Sequence, residues 1–356
     1  MNKRFVYTTL LRALVIASVT LADMTALVVG SNTVVSRQNA TTFPATDTDN
    51  TMLGFAVFEK GFTLGSVTTT CTYNSVFPVS GPVRLAGGTL FLNKDLKFQN
   101  VTRIVSNGSI WGNGKYSVDF SPTLTTLKIS EATSTRALRF SHTHVLLNAN
   151  IELVSPLEMR GGCKITGNGY TIKISNGGSL SVRAGSTLLL DNVTLTGVGS
   201  TNFTCLTNNA TVTFRDCRIL LSKNWTFSRG SMLFLSDVMF SGTVQFNYTT
   251  PLTSTIASRA MWYFDKGTTF SYAPARARKD LLFMEDSLSL LYLNGASLFS
   301  TMTGIKLSTG TLVIDNNVTF STQARNTGEA PILSNNLSVN LLSGAVFNVY
   351  GTVRYS

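Results

Sequence analysis

The feature that most constrains this chain is a short unit that keeps returning: apolar-x-apolar, a small polar corner, then apolar-x-apolar. It is clearest from Gly178 to Leu195. Leu180-x-Val182 is followed by the turn Ala184-Gly185-Ser186, then Leu188-x-Leu190, the corner Asp191-Asn192, and Val193-x-Leu195. Further units are Val212-x-Phe214 with Cys217-x-Ile219, Leu233-x-Leu235 with Val238-x-Phe240, and Trp262-x-Phe264 with Phe270. They continue as Leu291-x-Leu293 with Ala296-x-Leu298, Leu312-x-Ile314 with Val318-x-Phe320, and Val339-x-Leu341 with Ala345-x-Phe347. Alternation with period two buries one face of a strand. Strands this short cannot stand alone and must stack on copies of themselves.

The anchors Leu190, Phe214, Leu235, Phe264, Leu293, Ile314 and Leu341 are spaced by 24, 21, 29, 29, 21 and 27 residues. A degenerate repeat of that length, built of strands and turns, is the signature of a solenoid. A propeller blade needs about forty residues, and no helical period is present. One strand-turn-strand-turn coil per repeat points to an all-β parallel β-helix. Asp and Asn suit its corners because they tolerate left-handed backbone. The seven anchors are expected to point inward. Residues 82–349, at about 22 to 27 residues per coil and about 4.8 Å per strand, predict about ten to twelve coils and a rod of roughly 50 Å.

Only 13 % of the residues are charged, against about a quarter in ordinary domains. That suits strands and small turns better than a helix bundle. Residues 1–22, a basic start followed by an apolar run, read as a signal peptide, with cleavage after residue 22 or as late as 30, or retention as an anchor. Residues 23–54 are read as a flexible linker. The aromatic segment 55–81 is read as the cap over the first coil, and residues 350–356 as a C-terminal tail. Within the coils, Ile110-x-Gly112-Asn113-Gly114 matches Ile165-x-Gly167-Asn168-Gly169 at an offset of 55, expected to be two coils plus a protruding loop. Gly-Asn-Gly before a strand signals a tight turn. With no helix after it, it does not read as a phosphate-binding loop.

The recurring Leu-x-Leu-(Asp/Asn/Ser)-x-Val-x-Leu/Phe pattern with Ile-x-Gly-Asn-Gly turns resembles the pectin-lyase-like right-handed parallel β-helix proteins. It is similar to uncharacterised secreted β-helix proteins of intracellular bacteria and, more distantly, to autotransporter adhesin passenger domains. The resemblance covers about residues 82–349 and implies a right-handed, single-stranded β-helix. It says little about function, because the fold hosts lyases, hydrolases, tailspikes and adhesins. The hydrolases of that family carry an Asn-Thr-Asp motif, an Asp-Asp pair, a His-Gly turn and an Arg-x-Lys, and this chain lacks the set.

Glycoside hydrolysis needs two carboxyls converging on one bond. The one adjacent acidic pair, Glu285-Asp286, is the catalytic candidate. Asp191, Asp265 and Asp315 share the position after an anchor strand and are expected to stack as a ladder. His142 and His144 would share one strand face, which is too few ligands for a metal site. Cys71, Cys163, Cys205 and Cys217 include no Cys-x-x-Cys, which argues against zinc. Cys205 and Cys217 either pair as a disulfide or stay as buried thiols. Ten Asn-x-Ser/Thr sequons occur, and Asn192 and Asn317 fall where corners call for Asn in any case.

The net charge is +11, largely scattered. Its one cluster, Arg276, Arg278 and Lys279, is the binding candidate for acidic partners. Together these features predict a secreted or surface-exposed protein with a structural, adhesive or glycan-binding role and no catalysis. The alternatives are a polysaccharide lyase or glycoside hydrolase, and a tailspike-like carbohydrate binder. Expected partners are host or cell-surface glycans or proteins, with no nucleic acid, and membrane contact only through an uncleaved signal anchor. No cofactor or metal is expected.

Overall fold

The computed structural model describes five strands between residues 27 and 64 and the chain from residue 70 onward, apart from 77, 82, 100–102, 106, 121–126, 131–136, 275–277, 302 and 327. The segment read as a signal peptide lies outside the described residues. From residue 70 the described chain is β-strand, turn and bend. The strands stack in parallel as a β-solenoid of about 11 turns, matching the expected number of coils.

Each turn carries three strands, one more than the repeat alone implied, so the cross-section has three sides. One turn runs from Pro156–Arg160 on side A, through Gly162–Thr166 on side B, to Thr171–Ile174 on side C. The next repeats the order with Ser179–Val182, Thr187–Asp191 and Thr194–Val198. Side C is one sheet of 14 strands; side A is a sheet of 10 followed by one of 6; side B is one of 9 followed by one of 3. Strands also occupy the stretches read as linker and cap. Leu27–Val29 pairs antiparallel with Asn32–Gln38, and Thr70–Tyr73 pairs in parallel with Thr89–Leu92.

The third strand explains where the repeat was misread. Leu190, Phe214 and Leu235 lie on side B, whereas Phe264, Leu293, Ile314 and Leu341 lie on side C. The true side B column is Leu190, Phe214, Phe234, Ile256, Met284. The side C column is Leu195, Ile219, Phe240, Phe264, Leu293, Ile314, Leu341. The 29-residue step from Leu235 to Phe264 was therefore one coil plus one side. At Leu235 the register is also off by one: Phe234 is buried and Leu235 only half-buried. A slip of one residue turns a side chain to the opposite face. Leu341 points along its column but is 53 % exposed, because its strand ends the side C sheet.

The offset of 55 has the same cause. Ile110 stacks under Phe140 and then Met159 on side A, whereas Ile165 stacks under Leu190 on side B. The offset is two coils plus one side.

Inside, like stacks on like. Phe98 lies on Phe120 with ring centroids 5.4 Å apart, Phe214 on Phe234 at 5.5 Å and Tyr248 on Tyr272 at 5.7 Å. From residue 225 to 270 the core is mainly aromatic, with Trp225, Phe240, Phe246, Trp262, Phe264 and Phe270 forming one connected cluster. Offset and edge-on pairs of this kind add about 0.5–1.5 kcal/mol each beyond the area they bury.

Candidate functional site

The corners are the origin of the site. Where side B turns into side C, the backbone must pass through left-handed conformation. Asn168, Asn192 and Asp216 do so, with φ of 50°, 51° and 52°. Asn and Asp pay less for this than other side chains. The corner stack thereby lines up short polar groups on the outside of successive coils. Beside them runs an outward column of side C: Thr194, Arg218, Met239 and Tyr263.

Between these two rows lies an open groove of about 500 Å3. Asn192, Asp216 and Asp237 line its corner wall; Arg218, Met239 and Tyr263 line its floor. Burial, reinforced by the charge of Asp216, raises the Asp237 carboxyl above its ordinary value. The Asp216 carboxylate accepts a hydrogen bond from the Ser236 hydroxyl. Beside the groove, Asp191 is held by Lys164 at 2.7 Å, with Arg215 at 3.8 Å. A mixed lining of carboxylates, guanidinium, phenol and thioether offers hydrogen bonds to hydroxyl groups and an apolar wall to a ring face.

The expected ladder of Asp191, Asp265 and Asp315 does not form, for the same reason that the anchors split. Asp191 ends a side B strand, whereas Asp265 and Asp315 follow side C strands. Asp315 aligns with Asn294. There the Tyr263 hydroxyl donates to Asp265 at 3.3 Å, Asn294 Nδ2 donates to Asp265 at 3.0 Å, and the Tyr292 hydroxyl donates to Asp315 at 2.8 Å.

Other candidates from the sequence are engaged within their own loops or with neighbouring coils. Asp286 caps its own turn, its carboxylate accepting from the Leu288 N–H at 2.9 Å. Glu285 accepts from the Ser258 N–H of the preceding coil at 2.9 Å. Arg278 pairs with Asp280 at 3.2 Å. Lys279 Nζ donates to the carbonyls of Gly328 at 2.6 Å and Ala330 at 2.7 Å, tying two loops together. Arg276 lies outside the described residues.

The four cysteines are free and buried, so the Cys205–Cys217 disulfide is not formed. Cys205 sits on side A against Gly230. Cys217 is on side C, where its thiol donates to the Leu190 carbonyl at 3.3 Å. The histidines do not share a strand face. His142 occupies the A–B corner with φ 46°, while His144 begins the side B strand and bonds Thr166 Oγ1 at 2.9 Å. Among the described residues no group of three His, Cys, Asp or Glu is placed to hold a metal ion.

Several sequon asparagines also have local partners. Asn209 accepts from the Gly185 N–H at 3.0 Å, Asn224 from Gln245 N–H at 3.0 Å, and Asn202 from Gly199 N–H at 2.7 Å.

The groove was missed from sequence because its walls come from residues one coil apart. Asp216 and Asp237 were visible as corner residues. Aligning the B–C corners of successive coils, in place of the apolar anchors, would have brought them together. No family model, curated protein or solved structure matches this chain.

Proposed function

We propose that this chain is an exported β-helix protein of the pectin-lyase-like kind, displayed or secreted as a rigid rod that binds glycans through the groove on side C. The observation that carries this reading is the convergence of Asp216, Asp237, Arg218 and Tyr263 on one open groove of about 500 Å3. Sugars are bound by short polar side chains that fix hydroxyls and an aromatic face that packs on the ring. A β-solenoid suits the task because its stacked core holds such rows rigid.

Screening the purified chain on an array of neutral and acidic oligosaccharides tests the reading. Binding that falls about tenfold in Tyr263→Ala or Arg218→Ala supports it. No glycan retained, or retention untouched by either change, removes it.

A second reading, glycoside hydrolysis, is favoured by one observation. The Asp216 and Asp237 carboxyls line the same groove, and burial with the charge of Asp216 raises the Asp237 carboxyl, as a general acid requires. Sugar release by the wild-type chain that disappears in Asp237→Asn would establish that reading in place of simple binding.

A further inference from the structure

A second surface lies on the outside of side A, away from the groove. Its residues are scattered through the sequence and gathered by the coil. Phe91 aligns with Trp111, Trp111 with Ser141, and Ser141 with Arg160. Arg183 follows in the next coil, its N–H bonding the Met159 carbonyl. Leu206 comes after it, its N–H bonding the Val182 carbonyl, and Arg229 reaches back to the Leu206 carbonyl at 2.9 Å. In the neighbouring outward column Arg139 aligns with Glu158.

Two properties mark this strip. The first is charge. Arg139, Arg160 and Arg183 gather around Glu158, which bonds Arg160 at 2.5 Å and Arg183 at 3.3 Å. Arg139 Nε is buried without a hydrogen-bond partner. Burial, and then the charge of Arg160, lower the proton affinity of Arg139, with Glu158 opposing and Arg183 adding to the effect. The second is shape. Trp111 is 38 % exposed, with Phe91 edge-on at 5.0 Å and the His142 ring at 6.5 Å. A hydrophobic shelf is therefore separated by one coil, at Ser141, from the guanidiniums of Arg160 and Arg183.

We infer that this strip binds a linear anionic glycan lying along the solenoid axis, with a sugar ring on Trp111 and sulfate or carboxylate groups on Arg160, Arg183 and Arg139. Strands advance by about 4.8 Å, close to the length of one pyranose in an extended chain. Anionic groups on successive sugars thus meet arginines on successive coils. The guanidinium fork is matched to oxyanions in a way an ammonium is not. The aromatic shelf favours a polymer with flat apolar ring faces over a bare polyphosphate. Surface pairs at separate positions act weakly one at a time, so the affinity comes from several engaged together.

Retention of the full chain on immobilised heparin, polygalacturonate, dextran and a single-stranded oligonucleotide, at rising NaCl, tests this. The expected result is retention on heparin, on polygalacturonate or on both, absent on dextran. The double change Arg160→Ala with Arg183→Ala should weaken it about tenfold or more, Trp111→Ala should weaken it about fivefold, and Glu158→Gln should strengthen it. Heparin alone retained identifies sulfate as the anion recognised, and polygalacturonate alone identifies carboxylate. Arg160→Lys, which preserves charge, should recover only part of the loss. Retention on the anionic glycans that falls in the double arginine change more than in Tyr263→Ala places their binding on this strip, and the reverse pattern places it in the groove and overturns the inference, so this surface and the groove can fail separately. No retention on either anionic glycan overturns the inference. So does retention that survives the double arginine change in a chain with wild-type circular dichroism, or tighter retention on the oligonucleotide than on both glycans.

Discussion

The indole Nε1 of Trp225 donates to the carbonyl of Phe203 at 3.0 Å, and the two rings stack at 5.2 Å. Phe203–Cys205 is the last strand of the first side A sheet, and Trp225–Phe227 opens the second. Where the side A ladder lapses, while the sheets of sides B and C run on, the indole bridges the gap together with Ser200 and Arg229. Trp225 also touches Phe240 and Phe246, so it begins the aromatic core as well as bridging the break.

Trp225→Phe keeps most of the packing and strands the Phe203 carbonyl. It should cost about 1–2 kcal/mol. Trp225→Ala should cost about 3–5 kcal/mol and should split the urea transition into two, since coils contact mainly their neighbours. Circular dichroism with hydrogen exchange on either side of residue 225 checks both. A single unchanged transition in Trp225→Ala would mean the halves do not depend on this bridge.

The register at residues 234 and 235 gives a sharper contrast. Phe234→Ala should cost about 3–5 kcal/mol, because the ring stacks on Phe214 and on Trp262 at 4.4 Å. Leu235→Ala should cost about 1 kcal/mol or less, as a half-buried residue outside the core. Comparable shifts in the denaturation midpoint for the two would contradict this register.

The same pair shows what the sequence made legible. Period-two alternation and polar corners specified strands, stacking, a solenoid and close to the right number of coils. They did not specify three sides, because each of the three strands in a coil carries the same apolar-x-apolar pattern and any of them can be taken as the anchor. Leu190 and Phe264 looked equivalent yet stand on different sides. Once sides were confused, corners were confused too. Asp191 was grouped with Asp265 instead of with its neighbours at the B–C corner, and the groove could not be assembled. The cluster Arg276 to Lys279 is legible in the sequence because it is contiguous. A solenoid gathers its surfaces from residues one coil apart, such as Arg160 and Arg183.

Asp237 has a pH signature of known sign. Burial and Asp216 raise its folded-state value, so the folded protein holds the proton more tightly than the unfolded chain. Stability attributable to this group is therefore greatest below the unfolded value of about 3.9 and falls as pH rises through the folded value. Asp237→Asn should raise the melting temperature slightly at pH 7 and lose that advantage near pH 3. Thermal scans of both proteins at the two pH values decide it. An advantage that grows towards acid would reverse the sign and remove the burial argument.

Lys279 is expected to act as a tie and not as a ligand contact. Its ammonium donates to the carbonyls of Gly328 and Ala330, and burial lowers its proton affinity. Lys279→Met should speed hydrogen exchange around residues 328–332 and increase proteolytic nicking there. It should leave exchange in the side C strands Leu290–Asn294 and Thr311–Asp315 unchanged. Glycan retention should be unaffected. Loss of retention with no change in loop exchange would return this lysine to the binding role that its place in a basic cluster first suggested.

The four thiols test whether the coil interior is closed. Burial pushes Cys205 up to about 12 and Cys217 up to about 11, and raises Cys71 and Cys163 as well. The thiolate is the reactive form, so at pH 8 the folded chain should contain almost none. Iodoacetamide should leave all four unmodified in the native protein and modify all four in guanidinium, as read by intact mass. Reaction of Cys205 alone in the native state would place an opening at the break in side A, where its sulfur abuts Gly230 and where Trp225 bonds the Phe203 carbonyl across the gap.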